Sequence, residues 1–172
     1  MLRPTSDTVV LLAVVAGSGI AAAIDVRTGK IPNRLTAGVA GFGLAMTAAG
    51  WTGHSVAAAA LGGVLGFVMM LPGHMLGGTG AGDVKLVAAL GTLLGPAGVF
   101  MAVLYSAVAG GVLALAHALR RRRLTITLSR TARLVAAPVD AKKEIDGAAV
   151  HSRFAYGPAI AIGASAAALL VR

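Results

Sequence analysis

Six apolar stretches, at residues 9–24, 35–49, 56–76, 84–94, 99–119 and 154–171, take up most of this chain. Apolar runs of this kind read as membrane spans, about 20 residues being enough to cross a bilayer as a helix. Composition agrees. Only 12% of residues are charged and 57% are hydrophobic, whereas a soluble domain carries about a quarter charged residues. The frequent Ala and Gly suit close helix packing in lipid. The expected fold is therefore all-α: a polytopic integral membrane helix bundle of about six transmembrane helices, the fourth of them short. A chain of 172 residues allows one bundle, a single membrane-embedded domain over 1–172. The first stretch has Arg3 as its only leading basic residue and no small-residue cleavage site before a polar domain, so it reads as a retained span. No internal repeat, heptad pattern or low-complexity linker is visible.

The basic residues give the orientation. With six spans, the connections after the first, third and fifth share one side. They hold Arg27, Lys30, Arg34, Lys85, the arginines 120–123, Arg130, Arg133, Lys142, Lys143 and Arg153, which is thirteen of fifteen Lys and Arg. Arg3 and Arg172 fall on the other side. Positive charge collects on the cytoplasmic face, so the basic loop at about 120–153 is expected in the cytoplasm and Trp51 outside. That loop sets topology and meets anionic lipid. The net charge of +9 is thereby accounted for, and nucleic acid is not an expected partner. Within the loop, residues 124–128 alternate like a strand, while Leu124, Leu128 and Val135 also fit an interfacial helix.

Two acidic residues sit within this greasy frame. Asp25 closes the first span, followed by Ile31, Pro32 and Asn33, where Pro32 resists helix continuation and Asn33 suits a cap. Asp83 lies in the stretch Gly77-Gly78-Thr79-Gly80-Ala81-Gly82-Asp83-Val84-Lys85. One reading makes Asp83 the N-cap of the next helix. Depth argues for more. Residues 84–95 reach only about 18 Å as a helix, against a hydrocarbon core of about 30 Å. With Gly95 at the outer interface, Asp83 lies on the order of 10 Å below the inner one. An ionisable residue at such depth normally faces a cavity and marks function. Two carboxyl groups on one membrane side can share a proton. The ionised one activates water and the protonated one donates to a peptide carbonyl. No metal or nucleophilic side chain is needed, which suits a chain without cysteine. His54, His74, His117 and His151 have no paired ligand spacing, so no metal or other cofactor is expected. The glycines of the Asp83 loop fit neither a dinucleotide fingerprint nor a P-loop.

Asp25 with Ile31-Pro32-Asn33, then Gly80-Ala81-Gly82-Asp83-Val84-Lys85, then Tyr156-Gly157-Pro158-Ala159 resemble the type IV prepilin peptidases, polytopic Gly-x-Gly-Asp aspartic proteases distantly similar to presenilin. The resemblance implies that Asp25 and Asp83 are catalytic. It implies an active-site loop at Gly80, Gly82 and Lys85, and candidate substrate-proximal residues at Ile31, Pro32, Asn33, Tyr156 and Gly157. It further implies cleavage of a pilin-like precursor after a short basic leader, in a bacterial or archaeal cytoplasmic membrane. Larger members carry a paired-Cys region and N-methylate the new terminus. This chain, without cysteine, looks like the short form that serves Flp-type, tight-adherence pili. Lys85 either tunes the carboxyl pair or snorkels to the interface. Two rival readings stand beside this one: a presenilin-like peptidase for other membrane substrates, and a proton-coupled transporter or non-catalytic assembly subunit. A transporter is expected to show paired broken helices, and only one broken region is visible.

Overall fold

The computed structural model describes residues 6–120 and 156–170. The basic loop, with its strand-or-helix alternatives at 124–128, lies outside the described residues. All regular structure among those residues is helical. The helices are α1 (Ser6–Thr28), α2 (Asn33–Ala48), α3 (Val56–Met75), α4 (Ala81–Arg120) and α5 (Gly157–Leu170). Three segments among the described residues are long and apolar enough to cross a membrane: Asp7–Thr28, Val56–Met75 and Ala81–Ala116. Gly157–Leu170 is a shorter apolar helix. Many large apolar side chains face outward, among them Leu12, Leu61, Val64, Val108 and Leu169, as suits helices solvated by lipid rather than water.

α4 is two helical pieces. Gly95 has φ 70 and ψ −178, a left-handed φ that glycine adopts without a Cβ penalty. Pro96 follows at once, where a helix start tolerates proline because its missing N–H would be unpaired anyway. The chain doubles back there. A Cβ on Gly66 of α3 would lie 2.9 Å from both Val87 O and Val99 Cγ2, and one on Gly62 would meet the backbone of both Gly91 and Gly95. Val87 before the break and Val99 after it therefore share a level on α3. The His54 ring covers Gly95 and approaches Thr92 O at 3.4 Å, close to the carbonyls that the break frees. The sequence places a break over residues 95–98; the structure narrows it to one glycine.

Close backbone approach binds this layer. Gly62 and Gly91 face each other backbone to backbone, and Gly43 of α2 lies on Thr92. Such contacts supply the dispersion that lipid cannot replace. A methyl at Gly62 has only rigid backbone before it. Gly62→Ala is therefore expected to destabilise by about 1–3 kcal/mol, the usual cost of overpacking. Thermal unfolding in detergent, read beside the unobstructed Gly41→Ala, checks this.

α5 is the small-residue helix. Gly157, Ala159, Ile160, Gly163, Ala164, Ala167 and Ala168 form its buried face. It packs on α1 and on the second piece of α4, while α1 makes little direct contact with α2 or α4. α1 turns Val10, Val14, Ser18, Ala21 and Asp25 inward, a stripe at helical spacing. Ser18 Oγ donates to Val14 O at 2.6 Å, so this buried hydroxyl is satisfied without a partner helix. By sequence, Pro72-Gly73-His74 reads as an interruption near the end of the third apolar stretch, and that interruption is absent. α3 runs through it to Met75, since the fixed proline φ suits a helix and only one backbone donor is lost near the end.

Candidate active site

Asp25 is 8% exposed, near the end of α1. The helix stops soon after it, as the Gly29 N–H donates to Asp25 O at 2.8 Å and Gly29 takes φ 65. The Asp25 carboxylate Oδ2 accepts the Gly157 N–H at 3.0 Å, across 132 residues of sequence. That donor belongs to the first turn of α5, where backbone N–H groups lack helical partners and favour negative charge. Arg27 and Lys30 are exposed at the helix end.

Asp83 is 6% exposed. The loop before it is ordered by backbone bonds. Gly77 has φ 78, Gly78 N–H and Thr79 N–H both donate to Gly73 O, and His74 Nδ1 lies 2.9 Å from Thr79 O. Asp83 is not the N-cap that the sequence suggests. Helix α4 opens at Ala81, and Asp83 sits in its first turn, reaching back so that Oδ2 accepts the Gly80 N–H at 2.9 Å. This is the reaching-back half of a capping box. Its other oxygen, Oδ1, is buried and has no hydrogen-bond partner among the described residues. A cap uses one oxygen; the second is left with nothing structural to do.

The α1–α2 connection that begins at Asp25 touches α4 on both sides of Asp83, at Gly82 and Lys85, so the two buried carboxyl groups lie at the same end of the bundle. Tyr156 Oη donates to Ser106 O at 3.1 Å, and its ring covers Gly110, where a Cβ would collide with it. Tyr156 thus fastens the chain just before α5 to α4, and Gly157 follows directly onto Asp25. Gly82 lies against Ile31, and Lys85 Nζ donates to Asn33 Oδ1 at 2.9 Å. Asn33 does not cap α2. Pro32 holds the N-cap position at φ −65, ψ 135 with no side-chain cap bond, and the Asn33 side chain turns to Lys85 instead. Every candidate residue named from the sequence lies within this set of contacts except Pro32, which contributes only its backbone turn. Ser106 and Gly110 are additions; Gly110-Gly111 inside an apolar stretch was the only trace of them in the sequence. No group of His, Asp and Glu suited to a metal ion occurs among the described residues.

A family model described as the type IV leader peptidase family matches residues 11–115. The chain belongs to that family. The match covers more than half the chain and takes in Asp25, the α1–α2 connection, the Asp83 loop and most of α4. Tyr156 and Gly157 fall beyond it, so their place beside the aspartates rests on the geometry. No curated protein and no solved structure matches the chain. Membership in a leader peptidase family makes peptide-bond hydrolysis the chemistry to be accounted for, and the three long apolar helices suit a multi-pass membrane protein.

Proposed function

We propose that this member of the leader peptidase family is a membrane aspartic endopeptidase that removes the leader of a pilin-like, Flp-type precursor at the cytoplasmic face. The observation that supports this is the placement of Asp25 and Asp83, two buried acids from opposite parts of the matched region, at one end of the bundle, linked by the contacts of Ile31 with Gly82 and of Asn33 with Lys85, in a chain without cysteine. Like charges at close range do not both ionise readily, so in this reading one carboxyl holds a proton while its partner is a carboxylate. The carboxylate takes a proton from water as the water oxygen attacks the scissile carbonyl. The acid gives its proton to the carbonyl oxygen, forming a tetrahedral diol. Collapse of the diol breaks the C–N bond, and a proton passes to the leaving amine. The carboxyl pair returns to its starting state with no cofactor consumed. The bare Asp83 Oδ1 is an atom that a water or a carbonyl oxygen can engage. Cleavage of a precursor peptide by the detergent-solubilised protein, with mass spectrometry of both products, tests the activity. An intact precursor under conditions where the protein stays folded overturns it.

The six-span arrangement belongs to the same proposal. The doubling back at Gly95 supports two antiparallel passes within α4, and the charge asymmetry supports a cytoplasmic basic loop in a single domain over 1–172. Single cysteines at Trp51, exposed in the α2–α3 turn, and at Ser129 test this in a chain that has none. An impermeant thiol reagent is expected to label Trp51→Cys in intact cells and Ser129→Cys only after the membrane is opened. The reverse pattern overturns the orientation.

A further inference from the structure

We propose that Ile31-Pro32-Asn33 is a positioning clip, gripping α4 on both sides of Asp83 and so fixing that residue against Asp25. The inference rests on the catalytic reading of the two aspartates. It departs from the expectation that these three residues meet substrate.

The need for a clip follows from the packing. α1 carries Asp25 and α4 carries Asp83, yet the two helices touch little, and α1 touches α2 still less. The relative placement of the carboxyl groups therefore depends on α5, through the Gly157 N–H, and on the short connection after Asp25. That connection is stiff. Gly29 N–H closes on Asp25 O, Thr28 Oγ1 donates to Lys30 O at 3.0 Å, and Pro32 has its φ locked by its ring. A shift at residues 31–33 is passed back to Asp25 with little give.

The clip has two jaws. Before Asp83, Ile31 is 8% exposed and seats on Gly82, where an added Cβ would lie 2.9 Å from Ile31 Cβ and 3.3 Å from Ile31 N. After Asp83, Asn33 Oδ1 accepts from Lys85 Nζ at 2.9 Å. The ammonium makes this a charge-assisted bond, stronger than one between neutral groups. Asn33 gives up no cap to make it, since Pro32 already holds that position. This gives Lys85 a defined partner, in place of a free snorkelling end or a direct action on the carboxyl pair.

Loss of the second jaw is expected to lower kcat and leave KM within about twofold. Displacement of reacting groups on the order of 1 Å costs up to about a hundredfold, so Lys85→Met and Asn33→Ala are each expected to lose roughly ten- to a hundredfold. The double variant should lose no more than the worse single, because one bond is broken in all three. Asn33→Asp keeps the acceptor and should restore cleavage to near the wild-type rate. The assay is precursor cleavage by the full chain in detergent, at matched amounts of folded protein, with Asp83→Asn as a parallel control. A raised KM at constant kcat would place the segment on the substrate, and multiplied losses in the double variant would give the two residues separate tasks. Either result overturns the clip, as does wild-type kcat in Lys85→Met. Should Asn33→Ala fail to accumulate, Lys85→Met at its exposed position with Asn33→Asp carries the same decision. An active Asp83→Asn rejects the catalytic reading itself; an inactive one beside fully active clip variants rejects the clip alone.

Discussion

Asp83→Asn is expected to abolish cleavage of a co-expressed pilin-like precursor while the protein still inserts at wild-type abundance, and Asp25→Asn is expected to do the same. Asparagine keeps the shape of the side chain and an oxygen that can accept the Gly80 or the Gly157 N–H. It cannot take up and release a proton. General acid–base steps each contribute about 10²–10⁴-fold, and residues acting as a unit lose nearly everything with the first substitution, so the double variant should be little worse than either single. A purely structural Asp83 predicts a different result. Its Oδ2 accepts the Gly80 N–H in the first turn of α4, and an asparagine amide oxygen can accept the same bond, so Asp83→Asn would then be almost silent. Near-normal processing at matched membrane abundance would leave Asp83 a capping residue and sink the catalytic assignment.

The helices were legible because apolar runs in lipid have few alternatives. α1, α2, α3 and α5 overlap the expected stretches to within a few residues at most ends. Gly95 was legible as a break because glycine and proline adjoin there. A reversal there was expected once residues 84–94 and 99–119 were counted as separate spans; what could not be read was where it packs, since this depends on Gly62 and Gly66 of α3 lying beside residues on both sides of it. Pro72 misled for the opposite reason: one proline near a helix end costs a single bond, and the packing of α3 outweighs it. The site divides along the same line. Local chemistry marked both aspartates, the glycines before Asp83, and Lys85. The pairings of Lys85 with Asn33 and of Asp25 with Gly157 were not marked, because each of these bonds joins parts of the chain far apart in sequence. Nothing near Asn33 indicates that its side chain forgoes the cap for Lys85, 52 residues on. Nothing near Asp25 indicates an amide 132 residues away.

That amide carries the second large effect. Gly157→Ala is expected to lower kcat roughly a hundredfold with KM little changed, the size associated with a displacement of about 1 Å at the reacting groups. A Cβ on Gly157 would lie 2.9 Å from Asp25 Oδ2, 3.0 Å from Asp25 Cβ and 3.1 Å from Ala22 Cα. Two of these atoms belong to the frame of α1 and the third to a buried carboxyl, so none can swing aside as the tip of a long side chain would. The start of α5 must retreat instead, stretching the bond from the Gly157 N–H and carrying Tyr156 away from Ser106 O. A loss that arises this way acts only through Asp25, so adding Gly157→Ala to Asp25→Asn should cost nothing further. Gly41→Ala is the matched control. A Cβ there meets nothing within 4 Å, and alanine in a helix interior stabilises by roughly 0.5–1 kcal/mol relative to glycine, so full activity is expected. Cleavage kinetics of the variants at equal abundance decide the matter. Wild-type kcat for Gly157→Ala would mean that α1 and α5 absorb the methyl without moving Asp25, and that the carboxylate is held in place by something other than the first turn of α5.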